Sequence, residues 1–170
     1  MTYSILSIDP SLSSTGYSVI EATTREIIKI SRYTTKPDIP ENDRIKSIVL
    51  ELFDVYMSDD TITEIVLEDG FISSVNINSG MKLSKLRGGI ITYFKINGVP
   101  VYTQEPTETR KNLGLKGNAK KEEVANKILE LYPDLIDRIG PYSDKNNKHK
   151  TSDMYDSVCI AIAHLNKNRS

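Results

Sequence analysis

Two short runs place apolar side chains on both faces of an extended backbone: "SILSI", which ends on Asp9, and "EIVL", which ends on Glu68. Strands of that kind need cover on both sides, so they belong at the centre of a sheet packed between helices. The remaining chain supplies the other parts. Residues 3–9, 16–21 and 26–33 read as three strands joined by short turns, an antiparallel meander. Residues 42–57 carry Ile45, Ile48, Val49, Leu52, Phe53 and Tyr56 at helical spacing, and residues 79–96 do so with Met81, Leu83, Leu86, Ile90, Ile91 and Phe94. "GVPVYTQ" is a short strand, and Pro106 to Leu113 a short helix. Residues 119–132 form a helix stopped near Pro133, and a last helix runs from Ser152 to Asn166. This order predicts an α/β fold: a mixed five-stranded sheet, antiparallel meander first and parallel strands after, flanked by helices.

At 170 residues the chain fits one domain, spanning 1–170. No stretch is apolar enough to span a membrane, and the N-terminus has no signal-peptide pattern, so a cytoplasmic location is expected. A net charge of −1 gives no global attraction to polyanions, so any such site must arise from local clustering. The one cysteine, Cys159, excludes an intrachain disulfide, and its run "SVCIAIAHL" marks it as a small buried hydrophobe.

Asp9 and Glu68 stand at the carboxyl ends of the two apolar strands, where α/β sheets collect ligands. Side by side, two carboxylates repel, and a divalent cation relieves that conflict through hard oxygen ligands. The last helix adds Asp153 and Asp156, on one face at i, i+3. Its remainder, Val158 to Leu165, is apolar nearly all round and must be buried, so its first turn carries two acids to the edge of the core. Each acid alone has a plainer reading as a helix cap or turn residue. The four together favour a metal site.

Bases cluster in "RKNLGLKGNAKK": Arg110, Lys111, Lys116, Lys120 and Lys121 with no acid among them. The last two fall in the first turn of a helix expected to start near Asn118, where lysines oppose the helix dipole but suit an anion site. A solvated face balanced by Glu122 and Glu123 is the alternative. "KNNKHK" adds Lys145, Lys148, His149 and Lys150, with His149 read as a solvated loop residue, and His164 as a packing residue. Phe71, three residues after Glu68 in a small-residue loop, either wedges between bases or tucks into the core.

These motifs, in this order, resemble the RuvC family of Holliday junction resolvases, within the RNase H-like nucleases and integrases. "SIDPSLSSTGYSVI" resembles the family's opening strand with its catalytic Asp at Asp9, and "VLEDGF" the segment with the catalytic Glu at Glu68. "INSGMKLSKLRGGI" resembles the dimer-interface helix, and "SDMYDSVCIAIAH" the closing helix with Asp153 and Asp156. The family's two functional lysine positions fall on Arg110 and Lys121, and its junction-centre aromatic residue on Phe71. Ser11 stands where the family usually has Gly, Arg110 replaces a Lys, and the loop at 140–152 is longer than usual.

The resemblance implies an RNase H-like fold and a metal-dependent endonuclease that nicks branched DNA. Asp9, Glu68, Asp153 and Asp156 would hold two Mg²⁺ or Mn²⁺ ions per site, about 4 Å apart. Lys121 would offset transition-state charge, and the products would be 5′-phosphate and 3′-hydroxyl ends. Lys111, Lys116, Lys120, Lys148 and Lys150 would join Arg110 and Lys121 on DNA phosphates, and the small residues after Asp9 would leave room for the DNA backbone. A homodimer through helix 79–96 would match the near two-fold symmetry of a four-way junction. Two other readings stay open on the residues: an RNase H-like nuclease for RNA–DNA hybrids or flaps, and an actin-like ATPase, whose opening strand, Asp and turn look alike. A non-catalytic branched-DNA binder is disfavoured, since it gains nothing from buried like charges.

Overall fold

The structure, a computed structural model, describes residues 3–70, 77–145 and 150–167. Its strands are β1 (Ser4–Asp9), β2 (Ser14–Glu21), β3 (Ile27–Thr34), β4 (Ile62–Glu68) and β5 (Val101–Gln104). They form one sheet in the order β3-β2-β1-β4-β5. The β1–β2 and β2–β3 pairs are antiparallel, while β1–β4 and β4–β5 are parallel. This is the expected mixed sheet, with the two acid-ended strands adjacent at its centre.

Alternation along each strand divides the core in two. Leu6, Ile8, Tyr17, Val19, Ile65 and Leu67 face α1 (Glu41–Met57) and α2 (Ile77–Ile96). Ile5, Ile20 and Val66 face the other layer, which holds α3 (Pro106–Asn112), α4 (Lys121–Leu131), α5 (Leu135–Ile139) and α6 (Ser152–Lys167). Each fully buried Ile or Leu contributes about 1.5–3 kcal/mol, so both faces of the central strands are held firmly. Every side chain of α6 from Ser152 to Leu165 is buried except Asp156, which is partly open. The helix lies on β1, β2 and β4 with α3 and α4 on its outer side, which is why it is apolar nearly all round.

Some boundaries differ from expectation, and one helix is added: β2 begins at Ser14 rather than at residue 16. α2 begins at Ile77, two residues early, and α4 begins at Lys121 rather than near Asn118, while the short α5 was not anticipated. At α4 the backbone N–H of Lys120 donates to Glu123 Oε2 (2.7 Å), which ends the helix there. Among the described residues no helix is long and apolar enough to cross a membrane.

Candidate active site

The side-chain period of two decides which face each strand-end acid joins. Ile5, Ser7 and Asp9 share the α6 face of β1, where Ser7 Oγ donates to the Ser157 carbonyl (2.6 Å). Glu64, Val66 and Glu68 share the α6 face of β4, where Glu64 meets His164 of α6 (3.1 Å). The parallel register pairs Ile8 with Leu67. Asp9 and Glu68 therefore follow one step on, at the same sheet end and on the same face.

A glycine brings the helix acids to them. Gly16 pairs with Asp9 across β1–β2. A Cβ at Gly16 would stand 2.0 Å from the Asp153 carbonyl oxygen, so only glycine lets the first turn of α6 lie this close to β2. The expectation that the small residues after Asp9 leave room for a DNA backbone is thereby corrected at 14–16. Ser14, Thr15 and Gly16 are buried, and α6 occupies the space. Thr15 Oγ1 closes the preceding loop by donating to the Ser11 carbonyl (2.7 Å) and accepting from its N–H (3.3 Å). Ser11 thus serves the loop through its backbone, and among the described residues its hydroxyl pairs only with that of Ser13 (3.2 Å).

A cavity of about 110 Å³ opens among Asp9, Glu68, Asp156, Arg110, Lys121 and Thr109. Burial pushes the Asp9 pKa well above the ordinary carboxylate range, and the charges of Asp156, Glu68 and Asp153 push it further, with Lys121 opposing. Burial and Asp156 also raise Glu68, against Arg87, Arg110 and Lys121. Asp156 is raised by burial despite Lys121, whose Nζ lies 3.5 Å from its Oδ2. Burial works against the Lys121 ammonium, but Asp156, Asp144 and Asp9 together hold its pKa above the usual lysine value.

Asp153 does not line this cavity. Its Oδ1 pairs with Lys150 Nζ at 2.7 Å, and its Oδ2 is buried with no hydrogen-bond partner among the described residues. Among those residues no three acidic, histidine or cysteine side chains stand in ready metal-binding geometry. The donor set nonetheless fits a hard divalent cation. It consists of carboxylate oxygens, three of the acids are destabilised chiefly by burial and by one another, and the orphaned Asp153 oxygen lacks a cationic or donor partner.

The bases divide by position. Arg110 lines the cavity and donates through Nη1 to the Gly117 carbonyl (3.2 Å), and Lys121 lies across the cavity between Asp156 and Asp144. Lys111 in the last turn of α3, and Lys116 and Lys120 on the α3–α4 connection, are exposed outside the lining. Lys150, expected on DNA, pairs here with Asp153. Phe71, Lys148 and His149 lie outside the described residues. Cys159 is buried in the lining of the cavity, and burial pushes its thiol pKa well up, as suits a packing residue.

Two neighbours escaped the sequence reading. Arg87 of α2, 8% exposed, donates through Nη1 to the Gly70 carbonyl (2.8 Å) and lies 3.8 Å from Asp69. It pins the turn immediately after Glu68. The signal was present: Arg87 falls on the same helical stripe as Leu83, Ile90 and Phe94. Asp144 sits 3.9 Å from Lys121 and accepts from the Tyr142 hydroxyl (2.9 Å). Nothing local in its loop predicts that role.

Comparison with known proteins gives the chain's family and fold. The family model described as crossover junction endodeoxyribonuclease RuvC matches residues 5–164. The RuvC of Bradyrhizobium diazoefficiens is 28% identical over 168 residues, covering 98% of this chain and 88% of that protein. The RuvC of Chlamydia caviae is 28% identical over 172 residues, covering 96% and 93% respectively. In fold, the chain is similar to a Thermus thermophilus RuvC solved in complex with Holliday junction substrate (TM-score 0.74, 21% identity, 98% and 95% coverage). It is also similar to Ydc2, the yeast mitochondrial Holliday junction resolvase (TM-score 0.63, 14% identity, 95% and 77% coverage). On the extent of the family match, the chain belongs to the RuvC family of crossover junction endodeoxyribonucleases.

Proposed function

We propose that this chain is a metal-dependent endodeoxyribonuclease that nicks four-way DNA junctions symmetrically as a homodimer, acting in the cytoplasm through one nuclease domain spanning residues 1–170. One observation carries the reading: three mutually destabilised acids and two cations converge on one small cavity at the carboxyl ends of the central strands. Asp9, Glu68 and Asp156, joined by Asp153 once Lys150 releases it, would hold two Mg²⁺ or Mn²⁺ ions. Bound there, such ions activate water and stabilise the leaving oxygen.

The chain's own groups do the rest. Burial keeps bulk water from screening the cavity, so each charge acts strongly. Arg110 and Lys121 draw the scissile phosphate in and offset the charge that grows on its oxygens. Lys121 keeps its proton on Nζ because its carboxylate neighbours raise its pKa. The α3–α4 lysines and Lys148 hold flanking phosphates, and Phe71 holds the junction open. Along α2, Ile77, Met81 and Ile96 are exposed, and Gly88 has open space beside it. This face pairs two copies so that two sites meet the two-fold junction.

A panel of four-way junction, three-way junction, flap, duplex and RNA–DNA hybrid, each with and without Mg²⁺, tests the reading. Symmetric nicking of the four-way junction in Mg²⁺ is expected to be fastest. Equal or faster cutting of hybrid or flap overturns the substrate assignment.

A further inference from the structure

A second cavity, about 340 Å³, lies across the carboxyl end of β1 from the acids, on the α1/α2 side of the sheet. Its lining includes Pro10, which follows Asp9 directly, the hydroxyl residues Ser11, Ser13 and Ser79, and the cations Arg44 and Lys82. No acid lines it. The nearest counter-charge, Glu41, is drawn mainly to Lys85 (2.9 Å) and lies 4.0 Å from Lys82.

Arg44 is held ready. Its Nε donates to Thr35 Oγ1 (2.8 Å) and its Nη2 to the Leu12 carbonyl (3.0 Å). Two of three guanidinium nitrogens thus fix the plane, while Nη1 has no hydrogen bond among the described residues. A fixed guanidinium, a mobile ammonium and hydroxyl donors suit a singly charged tetrahedral anion. Simple structural bracing explains Nε and Nη2 but not the open cation-lined space beside them.

We propose that this cavity holds a backbone phosphate of the strand being cut, next to the scissile one. The strand would cross the end of β1, with its reacting phosphate against Asp9, Glu68 and Lys121 and its neighbour against Arg44 and Lys82. This rests on the nuclease reading and adds a contact on the opposite sheet face from the basic α3–α4 connection.

The test measures junction affinity in Ca²⁺ against salt for wild type, Lys82→Gln and Arg44→Gln/Lys82→Gln, each with a melting curve. Losing one phosphate contact should make the log–log salt slope of the double variant shallower by about 0.9. A junction carrying one methylphosphonate at the proposed position should weaken wild-type binding and leave the double variant's unchanged. If Arg44→Gln fails to fold, Lys82→Gln decides: it must make the slope shallower, and an unchanged slope overturns the proposal. A double variant that folds with wild-type slope and wild-type methylphosphonate sensitivity overturns it too, while junction cutting by wild type leaves the nuclease reading standing. Wild type that neither binds nor cuts junctions overturns both.

Discussion

Glu64 and Glu68 lie four residues apart on the same face of the same strand, and α6 covers both, yet they live differently. α6 runs antiparallel to β4, so its far end brings His164 to Glu64 at 3.1 Å, with the Tyr102 ring tilted against the imidazole (centroids 5.1 Å apart). Its near end brings Asp156 towards Glu68, where a cation would have been the stabilising choice. One end of the helix makes a compensated pair. The other gathers acids whose pKa values rise through burial and mutual repulsion. Lys121 and Arg110 offset that crowd only in part, and a buried crowd of this kind is where a ligand from outside the chain is expected to complete the charge balance. Position on the strand does not separate a site acid from a structural one; the partner that α6 presents does, a hydrogen-bonding imidazole in one case and another carboxylate in the other.

The sharpest way to break this comparison exchanges charge at each end. Asp9→Asn should lower junction cleavage in Mg²⁺ at least ~10³-fold, about 4 kcal/mol of transition-state stabilisation. Junction binding in Ca²⁺ and the melting temperature in EDTA should hold or rise, because a repelled charge is gone. Glu64→Gln should do the reverse, costing about 1–3 kcal/mol of stability while cleavage at permissive temperature persists. Full activity in Asp9→Asn, or lost activity in a folded Glu64→Gln, removes the distinction. The assays are single-turnover cleavage and thermal melts.

A second prediction asks whether α6 is what assembles the crowd. Gly16→Ala drives a methyl into the Asp153 backbone, which neither the strand nor the buried helix can yield cheaply. The expected cost is about 3 kcal/mol, at the upper end for overpacking, together with reduced cleavage as both helix acids move away from Asp9. A folded Gly16→Ala of wild-type stability would show that α6 does not need this contact.

The third prediction concerns pH. Asp9, Glu68 and Asp156 have raised pKa values, so in EDTA the folded state keeps protons that the unfolded chain sheds near pH 4. Stability from these groups is complete below the unfolded values and is lost as pH rises through the folded ones. The melting temperature of wild type minus that of Asp9→Asn should therefore fall from acid to neutral pH. Mg²⁺ competes with those protons, so its stabilising shift should grow over the same range. A difference that rises with pH contradicts the crowded-acid description.

Local pattern foretold much of this. Apolar strands with acids at their ends, and the alternation of elements after the meander, were enough for the sheet. The all-round apolar α6 was enough to bury its acids at the core edge. Parity alone puts Asp9 and Glu68 on one face once their strands are neighbours. The rest depends on contacts between distant segments. Gly16 is required because α6 lies on it, a contact no local pattern shows. Lys150, just before α6, pairs with Asp153 at 2.7 Å, a partner the basic run did not suggest. Arg87 was legible in principle, since an arginine on an apolar stripe must find an acceptor, here the Gly70 carbonyl.

The smallest effect belongs to Asp144, and it sharpens the comparison at its margin. Lys121 is the cation nearest the crowd, and it is shared between Asp156 at 3.5 Å and Asp144 at 3.9 Å. Asp144 is half exposed, so water screens its pull, and such pairs contribute about 0–1 kcal/mol. Asp144→Asn should leave the melting temperature nearly unchanged and let Lys121 turn wholly to the inner acids. Loss of that carboxylate removes one of the charges holding the Lys121 proton, so the alkaline limb of the cleavage pH profile should move to lower pH. Cleavage at neutral pH should change less than about threefold, within what ~0.6 kcal/mol allows. A large loss at neutral pH would instead make Asp144 a fifth essential acid, and the divide between the two ends of α6 would then extend into the loop before it.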